Sequence, residues 1–92
     1  MRLRLGKPSR MQGSCCVYIL ESLSDEQAYY VGLTDDLAAR LAKHNLGAVA
    51  HTAKYTPWRV KSATAFRDRT RAAAFESHLK TGSGRAFARK HL

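Results

Sequence analysis

Acidic side chains are scarce in this chain. Seven Asp and Glu stand against sixteen Lys and Arg in 92 residues, which leaves a net charge of +9. Such a balance favours a polyanionic partner, nucleic acid first and a membrane surface second. Cysteine is nearly absent as well. The two present, Cys15 and Cys16, are adjacent, so they are poorly placed to bridge each other and match no zinc-ligand spacing. They read as a reduced, buried pair. No run approaches the roughly 18 consecutive apolar residues of a membrane span. Met1 to Arg10 lacks the apolar middle of a secretion signal, so the expected location is cytoplasmic. No internal repeat or low-complexity segment is visible.

What is present suffices for one small domain, since 45% of the residues are apolar. The charge is divided unevenly. Residues 1–36 hold four basic and five acidic side chains, whereas residues 37–92 hold twelve basic and two acidic ones, Asp68 and Glu76. The positive field therefore belongs to the second part of the chain.

Residues 1–14 carry Arg2, Arg4, Lys7 and Arg10 among Gly6, Pro8 and Gly13 without a sustained period, and read as a flexible basic arm. Ordered pattern begins at Cys15, which makes Met11 an alternative start. The domain proper is expected over 15–92. Cys15 to Glu21 and Gln27 to Leu33 are apolar, β-prone runs separated by the polar segment Ser22 to Glu26, which predicts a hairpin. If even positions pair with even ones, Tyr18 and Tyr30 share a face. Thr34 or Asp35 is expected to cap the helix that follows, with Leu37 and Leu41 on its apolar stripe and Gly47 at its end.

Leu46 to Thr56 reads as a loop containing His51 and Lys54, followed by a third strand over Arg59 to Phe66. Trp58, after Pro57, reads as a core or sheet-edge anchor. Asp68 is expected to cap a second helix, Arg69 to Thr81, with Ala72, Phe75 and Leu79 buried and Gly82 at its end. A short basic helix, Gly84 to His91, then turns Phe87 inward and Arg85, Arg89 and Lys90 outward. The fold class is α/β (α+β), a three-stranded antiparallel sheet flanked by helices.

Four residues stand in a telling order: Tyr18, Tyr30, Arg40 and His44, the last two one helical turn apart. Singly, each tyrosine reads as strand core and Arg40 as a solvated partner of Asp36. Glu76, four residues before Lys80, reads alone as half of an exposed helical pair. Gathered by a hairpin and a helix, two phenols, a guanidinium and an imidazole suit phosphate chemistry.

The ordered set Cys16-Val17-Tyr18, Tyr30-Val31-Gly32, Thr34-Asp35-Asp36-Leu37 into Arg40, Lys43-His44-Asn45, Pro57-Trp58, Glu76 and Leu79 through Arg85 resembles the GIY-YIG nuclease superfamily, in particular its small bacterial single-domain members. The resemblance covers residues 15–92. Cys16 stands where the family's first motif begins with glycine. The resemblance implies a metal-dependent endonuclease that hydrolyses DNA phosphodiester bonds, with single-stranded or branched DNA expected over a long duplex site. Its alternative is a non-catalytic nucleic-acid-binding module.

By the same resemblance Glu76 would hold one divalent ion, Mg²⁺ or Mn²⁺, which keeps several waters and therefore needs no acidic cluster. Arg40 would clamp the scissile phosphate with its planar fork of donors. Tyr18 would be the general base, supported by Tyr30 and His44, because a phenol of pKa near 10 needs positive charge or a hydrogen-bonded acceptor beside it. Asn45, Lys54, Lys80, Arg85, Arg89 and Lys90 are the expected nucleic-acid contacts. His51, His78 and His91 are assigned no role, and no feature singles out a protein partner.

Overall fold

A computed structural model describes residues 15–92; the basic arm and the alternative start at Met11 lie outside the described residues. Strands β1 (Cys15–Ser22), β2 (Tyr29–Thr34) and β3 (Trp58–Phe66) form one antiparallel sheet in the order β2-β1-β3. Helix α1 (Leu37–Asn45) follows the hairpin, and helices α2 (Arg69–Leu79) and α3 (Gly82–His91) close the chain. A single 3-10 turn, Ala53–Tyr55, interrupts the long loop before β3. No helix among the described residues is long and apolar enough to cross a membrane.

The hairpin loop runs longer than its polarity suggests, because the backbone is tied up locally. Ser22 Oγ accepts from the amides of Ser24 and Asp25 and donates to the Tyr55 carbonyl, while the Asp25 carboxylate accepts from the Gln27 amide. These bonds hold Gln27 and Ala28 in the turn, and β2 starts at Tyr29. The ladder pairs Tyr18 with Gly32 and Leu20 with Tyr30, so even does face even.

The pleat then sorts the core into two faces. On one, Cys15, Val17 and Ile19 pack with Ala72 and Leu79 of α2, with Phe75, Ala88 and Leu92 against them. On the other, Cys16, Tyr18, Leu20 and Trp58 pack with Tyr30, Leu37 and Leu41. Burial of Cys15 and Cys16 on opposite faces as free thiols follows from their adjacency in a strand.

Helix ends show where local chemistry chose among several signals. Asp36, rather than Thr34 or Asp35, caps α1, its carboxylate accepting from the Ala39 amide at 3.1 Å; Thr34 Oγ1 instead accepts from the Asp36 amide. At the other end Gly47 adopts φ +75°, and the amides of Gly47 and Ala48 return to the carbonyls of His44 and Lys43. This is the paired closure that a left-handed residue permits. Asp68 caps α2 as expected.

Two expectations for α2 and α3 fail. Gly82 does not end α2, which stops at Leu79; Thr81 caps α3, its hydroxyl accepting from the Gly84 amide, and Gly82 is the first residue of α3. Gly84 lies so close to the His78 carbonyl and Leu79 Cα that a side chain there would collide with backbone. That contact sets the rotation of α3, turning Ala88 and Leu92 to the core and leaving Phe87 40% exposed, not inward.

Trp58 is the anchor expected of it. It is 3% exposed, its indole N–H donates to the Thr52 carbonyl at 3.0 Å, and Tyr55 meets it edge-on. Its backbone is gripped by Asn45, whose amide nitrogen donates to the Trp58 carbonyl at 3.0 Å and whose oxygen accepts from the Trp58 N–H at 2.6 Å. Asn45, expected on a phosphate, is thus committed at both ends to joining α1 to β3. Replacing it by Ala removes both bonds and should lower the unfolding free energy by about 2 kcal/mol, read as a lower urea midpoint with an unchanged slope.

Candidate active site

Tyr18 stands at the centre of the sheet, fully buried, directly across the ladder from Gly32. A Cβ at position 32 would fall on Cζ and Oη of the Tyr18 ring, so glycine there is what leaves room for the phenol. From this seat the hydroxyl reaches His44 of α1, 3.3 Å from Nε2. His44 is fully buried too, with Nδ1 2.9 Å from Thr52 Oγ1. The Tyr30 ring covers the pair at 4.7 Å from the imidazole and 6.2 Å from the Tyr18 ring.

Burial pushes the Tyr18 phenol up to about 12, and the neighbouring Tyr30 phenol adds to the rise. The Arg40 guanidinium pulls the other way, and the Glu76 carboxylate pushes up again. Both charges therefore bear on the same hydroxyl. Burial also lowers the pKa of His44, helped by Arg40 and then by His51. The imidazole is accordingly neutral near pH 7. Of the two supports expected for Tyr18, positive charge comes from Arg40, whereas His44 supplies an acceptor and no charge.

The structure thus brings Tyr18, Tyr30, Arg40, His44 and Glu76 together. Glu76 sits on α2, its side chain 23% exposed, with the Lys80 ammonium 3.2 Å from Oε2. Among the described residues no group of three or more His, Cys, Asp and Glu is placed to hold a metal. The donor set still fits a hard divalent ion: one oxygen ligand suits an ion that keeps most of its waters, and this carboxylate already attracts a cation, the Lys80 ammonium.

Two residues join the site that the sequence reading passed over. Thr52 touches His44 directly, and the His51 ring lies 5.5 Å from that of Tyr30. Both sit in the irregular loop, where no periodicity marks a facing side; a His-Thr pair seven residues beyond His44 was the sole clue.

Beside Tyr30, along the edge strand β2, runs a cleft of about 1010 Å³ lined by Lys61, Lys80, Arg85 and Arg89. Three of the expected nucleic-acid contacts are in it. Lys54 instead lies over the Tyr55 ring, 5.2 Å from its centroid, and Lys90 is exposed on α3 outside this lining. Lys61, from β3, was not anticipated.

The GIY-YIG catalytic domain family matches residues 14–90, and the chain belongs to that family. It is 39% identical over 64 residues to a UPF0213 protein of Lacticaseibacillus paracasei, covering 68% of this chain and 72% of that one. The solution structure of a UPF0213 protein from Bacillus halodurans superposes with a TM-score of 0.51 at 29% identity, over 84% of this chain and 83% of the other. Membership implies a function of the nuclease type on a nucleic-acid substrate, in a family that generally uses divalent metal ions.

The raised Tyr18 pKa makes a signed prediction. The phenol is held protonated in the fold, so its stabilising contribution is complete below pH 10 and is lost as pH rises from 10 to about 12. Two pH units correspond to about 3 kcal/mol. Urea unfolding stepped from about pH 9 to about pH 11.5 should show a steeper loss for the wild type than for Tyr18→Phe, whatever their difference at pH 7.

Proposed function

We propose that this protein is a metal-dependent endonuclease that hydrolyses DNA phosphodiester bonds, with single-stranded or branched DNA as its substrate. The observation that carries the reading is the convergence on one buried hydroxyl: Tyr18 is hydrogen-bonded to a neutral imidazole while a guanidinium and a carboxylate act on it from nearby. Ordinary core tyrosines have no need of that company.

Hydrolysis requires a water to lose a proton, the phosphorane charge to be balanced and the 3′ oxygen to leave. A free phenolate is a poor starting point when the phenol titrates near 12. A relay avoids it. As the water gives its proton to Tyr18 Oη, the proton already on Oη passes to His44 Nε2, so hydroxide forms, Tyr18 ends neutral and His44 carries the charge. Tyr30, tilted against both rings, shields the transfer from bulk water.

Arg40, charged throughout, orients the scissile phosphate and offsets part of its growing charge. Glu76 would hold the divalent ion, Mg²⁺ or Mn²⁺, which when bound supplies charge neutralisation at the phosphate and at the departing oxygen. Lys80 joins Glu76 to the basic cleft, so a strand lying along β2 with its backbone on Lys61, Arg85 and Arg89 would enter the site beside Tyr30.

Two measurements test this. With Mg²⁺ or Mn²⁺ the wild type should cut single-stranded or branched DNA, and Glu76→Ala should leave about a hundredth of the rate or less; equal cleavage by the two proteins rejects the role given to Glu76. In EDTA, where binding is separated from cleavage, the double variant Arg85→Ala/Arg89→Ala should bind DNA more weakly and reduce the salt slope by about 1 to 2. An unchanged slope would place the strand elsewhere.

A further inference from the structure

The chain of hydrogen bonds behind Tyr18 has a direction, set at its far end. Thr52 Oγ1 lies 3.2 Å from the carbonyl of Val49, and a carbonyl can only accept. The threonine has one hydroxyl proton. If that proton goes to Val49, Oγ1 faces His44 with lone pairs alone, and the contact at 2.9 Å must be Nδ1–H donating to Thr52. A neutral imidazole with its proton on Nδ1 leaves Nε2 bare, so the Tyr18 hydroxyl donates to it.

The opposite assignment satisfies less. With the Thr52 proton on Nδ1, the Val49 carbonyl loses this donor, Nε2–H points at Tyr18, and the phenol proton turns toward Arg40, which has only donors to offer. One assignment gives three bonds in series, from Tyr18 to His44 to Thr52 to Val49 O; the other keeps the two on the imidazole, loses the one to Val49 and leaves the phenol proton without an acceptor.

Thr52 is also the best-held residue of its loop. It is 2% exposed, its amide donates to Val49 at 3.1 Å, and its carbonyl receives the indole of the buried Trp58. We propose that Thr52 is a positioning residue: fixed as an acceptor by the Val49 carbonyl, it holds His44 in the Nδ1–H tautomer and presents Nε2 to the Tyr18 hydroxyl as the terminal proton acceptor. The role in turnover rests on the nuclease reading above; the tautomer does not.

Nitrogen-15 NMR of the histidine rings, on protein free of metal and DNA, reads the tautomer directly. Wild type and Thr52→Ser should show His44 protonated at Nδ1 and bare at Nε2, and Thr52→Val, equal in shape but without the hydroxyl, should shift to Nε2–H or a mixture. Nδ1–H retained in Thr52→Val, or Nε2–H in the wild type, overturns the proposal, and the wild-type spectrum decides even if the Val variant does not fold. In the cleavage assay Thr52→Val should lose about 30-fold in kcat with KM changed less than about threefold, and Thr52→Ser should recover most of it. A loss seen equally in Thr52→Ser, or seen only in KM, counts against positioning. A wild type that never cleaves rejects the nuclease reading, whereas the wrong tautomer in an active wild type rejects this one.

Discussion

The Tyr18 ring lies in the space that a side chain at position 32 would fill, and the geometry of the site follows from that contact. An antiparallel ladder puts directly opposed residues on the same face, so pairing Tyr18 with Gly32 decides which face of the sheet carries the phenol. It also decides how deep the phenol lies. A larger residue at 32 would drive the ring out toward solvent, and with burial gone the largest cause of its high pKa would go too. Gly32 is therefore needed for its missing Cβ; its backbone is ordinary strand.

Around that centre the sheet divides labour by face. Helix α1 packs with the Tyr18 face and delivers His44 and Arg40, one turn apart, to the phenol. Helix α2 packs with the opposite face through Ala72 and Leu79, yet its Glu76 bears on Tyr18. The carboxylate acts on the phenol through its charge, and its partner Lys80 shares with Tyr30 a cleft along the edge strand β2. An edge strand leaves that side uncovered. The basic groups of α3 extend the same cleft, because Gly84 lets the helix seat closely against the end of α2.

Much of this was legible from residue order, and the exceptions share a cause. Alternation and turn residues reported the strands, and Asp68 reported the start of α2, because those signals act over a few residues. Where several signals compete over adjacent positions, local chemistry is ambiguous: Thr34, Asp35 and Asp36 can each cap, and Thr81-Gly82-Ser83-Gly84 reads equally as a stop and a start. Phe87 was misplaced because the rotation of α3 is set by the approach of Gly84 to the His78 carbonyl, a tertiary fact with no periodic trace. Asn45 was misjudged, and Thr52 passed over, for the same reason. Their polar atoms are spent on Trp58 and His44, 13 and 8 residues away, across a loop whose path the sequence does not display. The members of the central set come together as their order suggests because they lie on regular elements, where spacing translates into direction.

The charge pattern acquires a more specific meaning in this setting. The Arg40 guanidinium, from the basic residues 37–92, lowers the pKa of both Tyr18 and His44; burial outweighs it at Tyr18, which stays protonated, and acts with it at His44, which stays unprotonated in the free protein. Neither is charged, which spares the core an unpaired ion. On the proposed reading a phosphate bound at Arg40 would cancel much of the charge that helps keep His44 neutral. The imidazole would then become a better proton acceptor at the moment a substrate is in place. Basic side chains that first attract the polyanion would, once neutralised by it, release the acceptor from their own field, so that attraction and proton transfer draw on the same charges in sequence.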